Sequence, residues 1–397
     1  MSSSEDVACV GVRAQDAGGS VTIDDADHAG AICSLEGVVD GIVDAHMHEW
    51  DPFQTPREAS GLAKMYRLAP GFVEKHFRRL AGQPNQELLL TPKNAALPYL
   101  PDQYTADAEG VAEAVGAPIR SVVHCEAGWA AKGALAAADE TRWLMSLPFG
   151  KDGRPSLAAI IARADPRDPE CRTLLDTHLE VSTKVKCIRQ LAAWHPDPKV
   201  KSLCDMPGLL ASRDFLAGFP AVAERGLSFE ATVNSNQLAD VPILAREFPQ
   251  TTIVVSHLAT PIGLFGPMGS RTGWTMAQRA GIAGEWRDGI SAVAEYPNVV
   301  AKSSGFAFPQ LGYGHEPEGN IGRYEVLRDL WRPLMDHVID AFGVDRLMFG
   351  SNFPMDRPNT TVPTVAGMLV DLLGPRGDDA LRKVFRDNAQ RIYELDN

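Results

Sequence analysis

The sequence predicts an α/β fold, a closed (β/α)8 TIM barrel with an N-terminal extension. Short apolar runs recur eight times along the chain, and segments with helical spacing of apolar residues mostly separate them. Several runs are apolar and β-branched without alternation, as in 252–255, which is typical of strands buried on both faces. Eight repeats of strand and helix over roughly 350 residues favour a closed barrel over an open sheet.

The eight apolar runs are the predicted strands, and helix signals lie between several of them. In chain order the predicted strands are 41–46, 119–125, 157–162, 185–189, 227–233, 251–257, 298–302 and 346–350. Thr105 resembles an N-cap before an apolar helical face, and Ser212 opens a helical segment that ends near Gly226. A further helix is predicted over 327–342, ending at Gly343.

The domain organisation is predicted to be simple. Residues 1–37 are of mixed composition and are interpreted as an N-terminal arm, and residues 38–397 as a single barrel domain. Loops that follow strands form the active-site rim in such barrels, so the long loop 259–273 is a candidate substrate loop.

Composition and charge narrow the class of function. The 397 residues are 45% hydrophobic and carry a net charge of -13, which argues against a nucleic-acid partner but not against a small anionic substrate in a local basic pocket. No apolar run approaches the roughly 18 residues of a membrane span. The polar start lacks a secretory h-region, and the six cysteines form no CxxC, so we expect a cytoplasmic protein with reduced thiols.

The pair His46 and His48 closes the first predicted strand. Residues two apart on a strand point to the same side, so the two imidazoles can converge on one point. Such a pair suits a divalent metal or a shared polar substrate. For this motif taken alone, two unrelated structural histidines are the alternative.

Polar side chains follow most of the other strands as well. Polar residues at the carboxyl ends of barrel strands are typical of a catalytic site, whereas each alone could be an ion pair or a cap. The residues in question are His124 and Glu126, Arg189, Glu230, His257, Lys302, and Asn352 with Asp356.

Seven ordered segments resemble one family. They are 43–50, 122–127, 186–190, 228–230, 255–257, 301–305 and 348–354. Together they identify the chain, over roughly residues 40–392, as similar to the amidohydrolase-related branch of the amidohydrolase superfamily, the metal-dependent TIM-barrel hydrolases. The resemblance implies hydrolysis of a small carbonyl compound, most of all a lactone. Neighbouring groups of the superfamily decarboxylate aromatic acids.

The resemblance also implies a metal or substrate centre. His46, His48 and His257 occupy the family's positions for it, and Glu230 stands near a histidine of many relatives. We therefore expect zinc or manganese on His46, His48 and Glu230, with His257 as a further candidate. Some relatives hydrolyse lactones without a metal, so a metal-free centre is the alternative.

The general base is the open point of this prediction. Asn352 stands where the superfamily uses an aspartate as ligand and base, and an amide cannot accept a proton at neutral pH. Glu126, Glu230 and Asp356 are the candidate replacements. Glu126 is preferred if Glu230 is a ligand, because it shares a strand end with His124.

Four residues are predicted to contact the substrate. Arg189 is expected to bind a substrate carboxylate, with an ion pair at the barrel mouth as its alternative. Lys302 is expected to polarise a carbonyl or neutralise an anion, and Trp50 and His124 to line the pocket. His257 or the metal is expected to stabilise the oxyanion.

Three functions remain to be compared. The leading hypothesis is a lactonase-like hydrolase of a small, anionic substrate. The alternatives are a non-hydrolytic decarboxylase of an aromatic or unsaturated acid, which the loss of a basic residue at Asn352 would allow, and a non-catalytic binding protein. Relatives are often dimers or higher oligomers, so the resemblance implies a homo-oligomer for this chain as well.

Overall fold

Eight parallel strands form the centre of the molecule and confirm the predicted barrel. The computed structural model describes residues 33–313 and 323–395. The strands pair in chain order from β1 to β8, each parallel to the next. Their bounds are β1 Ile42–Met47, β2 Ile119–Cys125, β3 Ser156–Arg163, β4 Val185–Leu191, β5 Ser228–Thr232, β6 Ile253–Val255, β7 Val299–Ser303 and β8 Leu347–Phe349.

Helices surround the barrel and cover its mouth. In the described ranges they are α1 Ser60–Leu68, α2 Pro70–Ala81, α3 Gln83–Leu89, α4 Lys93–Ala96, α5 Pro101–Asp107, α6 Val111–Val115, α7 Ala138–Ser146, α8 Cys171–Val181, α9 Arg213–Gly218, α10 Pro220–Ala223, α11 Asp240–Glu247, α12 Met276–Ala294, α13 Tyr324–Phe342, α14 Val362–Leu373, α15 Asp378–Arg382 and α16 Asn388–Ile392. Among them, none has the length and apolar character that a bilayer crossing requires.

Two of the three helix predictions agree with the structure. The Ser212 hydroxyl accepts a hydrogen bond from the Phe215 N–H at 3.4 Å and caps α9, and the predicted segment consists of two short helices, α9 and α10. Helix α13 begins three residues before its predicted start and ends before Gly343, which has φ +70°. The start predicted at Thr105 is wrong. Helix α5 already begins at Pro101, because proline is pre-organised for the first helical turn, and Gly110 in a left-handed conformation separates it from α6.

The predicted N-terminal arm lies outside the described residues up to position 32. At the end of the arm, Leu35 is buried and its N–H donates to the Val115 carbonyl at 2.7 Å. The boundary between arm and barrel domain stays a prediction.

A separate apolar cluster fills the lower barrel interior. It contains alternate residues of the strands, such as Val43 and Ala45 on β1 and Val123 and Cys125 on β2, together with Tyr393 after α16. The β1–β2 register is irregular between Asp44 and Met47. This irregularity accompanies the inward turn of His46, because β-bulges re-aim side chains next to functional sites.

Asp44 fastens the seam between β1 and β8. One of its carboxylate oxygens accepts the N–H groups of Ser351 at 2.9 Å and His46 at 3.0 Å, and the other accepts the Tyr104 hydroxyl at 2.6 Å. Nearby, the Asn352 N–H donates to the His46 carbonyl at 2.9 Å and the His48 N–H to that of Phe353 at 2.8 Å. The seam is therefore closed by a buried side chain as well as by backbone.

We expect Asp44→Ala to lower the free energy of unfolding by about 3 kcal/mol, since it leaves three buried donors without an acceptor. Tyr104→Phe removes one of the three hydrogen bonds and should cost about 1 kcal/mol. Chemical denaturation measures both. Equal stabilities of the two variants would contradict this account of the seam.

Candidate active site

His46 and His48 converge at the carboxyl end of β1. Their Nε2 atoms lie 3.2 Å apart. The His48 Nδ1 lies 2.9 Å from the Cys125 carbonyl oxygen, which can only accept, so Nδ1 carries the proton of a neutral ring and Nε2 keeps its lone pair. His46 is fully buried, whereas His48 and His257 keep exposed fractions of 6% and 8%. A reactant would therefore reach the centre from the side of His48 and His257.

His257 follows β6 and completes the group. Its ring centroid lies 4.4 Å from that of His46, and its Nδ1 is 2.9 Å from the Ser304 hydroxyl after β7. The φ angles of His257, Leu258 and Ala259 are 51°, 51° and 56°, which residues other than glycine rarely adopt. Gly305 packs against the ring so closely that an added Cβ would lie 2.9 Å from His257 atoms.

The buried histidines are held as neutral bases. Burial lowers the pKa of His46, His124 and His257 well below the ordinary value, with nearby cations as further causes. Burial and the Arg189 charge lower the pKa of His48 to about 3. At neutral pH these imidazoles can accept protons, donate from one nitrogen, or ligate a metal.

Two cations and two carboxylates lie below and beside His46. Lys302 forms an ion pair with Glu230, and Arg189 contacts Glu230 at 3.4 Å and Glu126 at 3.0 Å. Burial alone would raise the pKa of Glu230, but Lys302 and Arg189 outweigh it and lower that pKa. We refer to Arg189, Lys302, Glu126 and Glu230 as the buried ion quartet, and its formal charge is zero.

Two sides of His46 differ in their fitness for a metal. On the Nδ1 side, Cys125 and Glu230 lie within metal-ligand distance of one another and of His46, but the Lys302 ammonium lies among them, 3.2 Å from Nδ1 and 3.7 Å from the Cys125 sulfur. A protein cation thus stands where an ion would. On the other side, two Nε2 atoms 3.2 Å apart fit one ion with metal–nitrogen bonds of about 2.1 Å.

The position of one ring proton decides how His46 is used. With the proton on Nε2, His46 donates to His48 while the Lys302 ammonium donates to Nδ1. Metal ligation through Nε2 needs the proton on Nδ1, where the Glu230 carboxylate, 3.5 Å away, would be the acceptor. The Lys302 ammonium, 3.2 Å from Nδ1, would then have to move away from that nitrogen, because both groups are donors. The residues present therefore fit a metal on the Nε2 atoms of His46 and His48.

Asn352 and Asp356 form a pair after β8. The Asn352 side-chain nitrogen donates to Asp356 Oδ1 at 2.7 Å, and the Ala307 N–H donates to Oδ2 at 2.9 Å. Burial raises the pKa of Asp356 to about 7. Asn352 also has a left-handed φ of 57°, a conformation that asparagine tolerates better than most residues.

The structure brings most of the predicted site residues together. His46, His48, His257, Glu230, Arg189, Lys302 and Glu126 form one set of contacts. His124 is buried near this set, 6.5 Å from His48 between ring centroids, and neither of its nitrogens has a partner among the described residues. The described contacts of the Trp50 ring are with other residues: its indole N–H donates to the Leu97 carbonyl at 3.0 Å, and the Arg57 guanidinium lies over the ring.

Three residues with structural roles at the site were not singled out from the sequence. Ser304 holds His257, Ser256 donates to Glu230 at 3.1 Å, and Arg57 lies 4.8 Å above the Trp50 ring. The two serines stand next to predicted strand-end residues, and that adjacency was the available signal. Arg57 lies in a long excursion between β1 and β2, where the sequence carries no comparable signal.

The chain is similar in sequence to known amidohydrolases. The profile of the Amidohydro_2 family, described as amidohydrolase, matches residues 43–395. The y4mH protein of Sinorhizobium fredii is 29% identical over 258 residues, which are 65% of this chain and 76% of that protein. The L-fucono-1,5-lactonase of Burkholderia ambifaria is 28% identical over 226 residues, 52% of this chain and 65% of that protein.

Solved structures share the fold. An amidohydrolase of Burkholderia multivorans with bound zinc has a TM-score of 0.61 at 19% identity, covering 90% of this chain and 100% of that one. A Pseudomonas putida protein described as a 2-pyrone-4,6-dicarboxylic acid hydrolase has a TM-score of 0.53 at 16% identity, and the match covers 90% of this chain and 99% of that one. The manganese-bound 5-carboxyvanillate decarboxylase of Novosphingobium aromaticivorans has a TM-score of 0.52 at 14% identity, and the match covers 91% of this chain and 100% of that one.

These neighbours include both hydrolases and a decarboxylase, and at such identities they establish the architecture alone. The family follows from the profile match over most of the chain, together with the histidine centre at the barrel mouth. The protein belongs to the Amidohydro_2 family of amidohydrolases.

Proposed function

We propose that the protein hydrolyses a lactone of a small organic acid at the His46–His48–His257 centre. The observation that carries the proposal is the convergence of two neutral imidazoles, 3.2 Å apart at Nε2, beside a third whose ring lies 4.4 Å from His46. Its support in sequence is the likeness to proteins named L-fucono-1,5-lactonase in two Burkholderia species. The reaction adds water to the lactone carbonyl and breaks the ring C–O bond, giving a hydroxy acid.

His46 and His48 would hold the metal. A zinc or manganese ion bound there would act as a Lewis acid on the carbonyl and lower the pKa of a coordinated water. The partners of their other ring nitrogens suit this role, since His48 Nδ1 donates to the Cys125 carbonyl and Glu230 lies 3.5 Å from His46 Nδ1. We assign Glu230 to this supporting position rather than to the ion, because it is paired with Lys302 and Arg189.

His257 is the residue that we assign to proton transfer. Its Nδ1 is held by Ser304, and within the described ranges Nε2 has no hydrogen-bond partner. With the ring proton on Nδ1, Nε2 accepts a proton from the attacking water and then gives it to the leaving alkoxide oxygen. Its lowered pKa keeps the ring unprotonated at neutral pH, so the Nε2 lone pair is available before the reactant binds.

The predicted carboxylate bases are less suited to this task. Glu126 accepts from Arg189 at 3.1 Å and from the Gly128 N–H at 2.9 Å, so both of its oxygens are engaged. Burial would raise the pKa of Glu126, but Arg189 and Arg163 outweigh it and lower that pKa. Asp356 likewise has both oxygens engaged.

We propose that Arg57, rather than Arg189, recognises an anionic group of the substrate. Arg189 is already balanced by Glu126 and Glu230. Across the described residues no carboxylate oxygen lies within 4.0 Å of the Arg57 guanidinium, which stacks on Trp50 two positions after His48. Burial lowers the pKa of Arg57, while the charges of Glu140, Glu126 and Glu58 act in the opposite direction from a distance. A partly dehydrated guanidinium of this kind would gain from an anionic ligand in direct contact.

The experiment that tests the function is a panel of sugar and dicarboxylate lactones, with and without added zinc or manganese. We expect turnover, and His48→Ala should lower kcat/KM by about 100-fold or more. His76→Ala, on the surface of α2, is the control and should leave kcat/KM unchanged. No lactone turnover together with carbon dioxide release from hydroxybenzoates would instead establish a decarboxylase, and neither activity would favour a binding protein.

Arg57→Met should raise KM for a carboxylated lactone by about 10–100-fold, the loss of one charge-assisted hydrogen bond. It should leave kcat/KM for a matched neutral lactone unchanged. The control is Arg67→Met, because Arg67 also stacks on an aromatic ring, that of Phe53 at 4.9 Å. Equal losses on both lactones would contradict anion recognition by Arg57.

Gly305→Ala should lower kcat/KM by about 100-fold, because the new Cβ would displace the His257 ring. Gly343→Ala is a matched control. It has nearly the same φ, +70° against +69°, but an added Cβ meets nothing within 4 Å. Both variants should lose about 1–2 kcal/mol of stability from backbone strain. Similar kcat/KM values in the two variants would rule out a specific effect on His257.

A further inference from the structure

The Asn352–Asp356 pair has a defined direction. In its ionised form, above a pKa that burial raises to about 7, Asp356 offers only acceptors. Its two oxygens are taken by the Asn352 side chain and the Ala307 N–H. Asn352 must therefore turn its NH2 group toward Asp356. Its carbonyl oxygen lies at the opposite end of the amide, and it is buried without a partner among the described residues.

The backbone of Asn352 lies next to that of His46 in the histidine centre. The backbone N–H of Asn352 donates to the His46 carbonyl at 2.9 Å, which fixes the start of the side chain beside β1. A buried acceptor without a hydrogen bond is destabilising, so this oxygen is suited to a partner that arrives with the reactant.

We propose that Asp356 is a positioning residue that holds the Asn352 amide with its carbonyl oxygen toward the histidine centre. There the oxygen accepts a hydrogen bond from the attacking water or from a substrate hydroxyl. The centre thus receives an uncharged acceptor, while the negative charge stays on Asp356, one hydrogen bond further out. This inference rests on the proposed hydrolysis and adds a residue to it.

The pair is chemically exchangeable. With asparagine at 356, its oxygen accepts from the Ala307 N–H, and its NH2 group then faces position 352. In the single variant Asp356→Asn, this NH2 group faces Asn352, whose amide must turn over to offer its oxygen as the acceptor. The NH2 group of Asn352 then points toward the histidine centre. In the double variant, the NH2 group at position 356 donates to an aspartate carboxylate at position 352, and every hydrogen bond of the native pair is kept.

The test is a double-mutant cycle of Asp356→Asn, Asn352→Asp and the exchanged double variant. Asp356→Asn should lower kcat/KM for the lactone by about 100-fold, because the acceptor at the centre becomes a donor. Asn352→Asp places two carboxylates at 2.7 Å, so one must take up a proton, and Tm should fall.

The double variant distinguishes positioning from a merely structural role. We expect its Tm to return to within about 2 °C of the native value, since its hydrogen bonds are restored. Its kcat/KM should exceed that of Asp356→Asn at least 10-fold and decline at acid pH as the new carboxylate takes up its proton. Full activity of Asp356→Asn, or additive losses of Tm in the double variant, would overturn the proposal.

The Tm cycle needs no substrate. If the native protein turns over no lactone, the proposed function fails, while recovery of Tm in the double variant still supports the paired amide and carboxylate. If the native protein is active but the double variant recovers neither Tm nor activity, the positioning role fails and the hydrolysis stands.

Discussion

The buried ion quartet is the constraint on which the centre depends. Arg189 and Lys302 could not be buried in the barrel without Glu126 and Glu230, since an isolated buried ion carries a large desolvation cost. The β4–β5 register places Arg189 opposite Glu230, so the pairing follows from the strand order. In return, the quartet surrounds His46 with fixed charges of zero sum, while burial and the two cations keep the imidazoles neutral.

The quartet also explains why one barrel presents two different environments to the same histidine. Below His46, the Lys302 ammonium occupies a set of donors that would otherwise suit a soft metal ion. On its Nε2 side, His46 instead faces the neutral His48 imidazole. A centre of this kind is receptive to a cation or to an anionic reactant, because it contributes no net charge of its own.

The sequence predicted the strands well because parallel strands buried on both sides are uninterrupted apolar runs. All eight were located, and β2 has the predicted bounds. The gathering of His46, His48 and His257 could also be predicted, since it needs only the rule that strand ends meet at one mouth. The partners of Arg189 could not, because they depend on register across three strands. Nor could the direction of Asp356, which is set by the left-handed turn at Asn352.

Tyr393, near the end of the sequence, completes the interior of the barrel and is therefore made late during synthesis. Its ring joins the apolar cluster of the barrel interior and lies 5.6 Å from the Lys302 ammonium, whose other contacts are Glu230, Cys125 and His46. The histidines of the first strand thus share an environment with a residue translated some 350 positions later. A ribosome-bound chain that has made all eight strands still lacks the Tyr393 ring in its interior cluster until the segment after α16 has emerged. The surroundings of the centre are therefore among the last parts of the molecule to be completed, although His46 and His48 are among the first residues to be made.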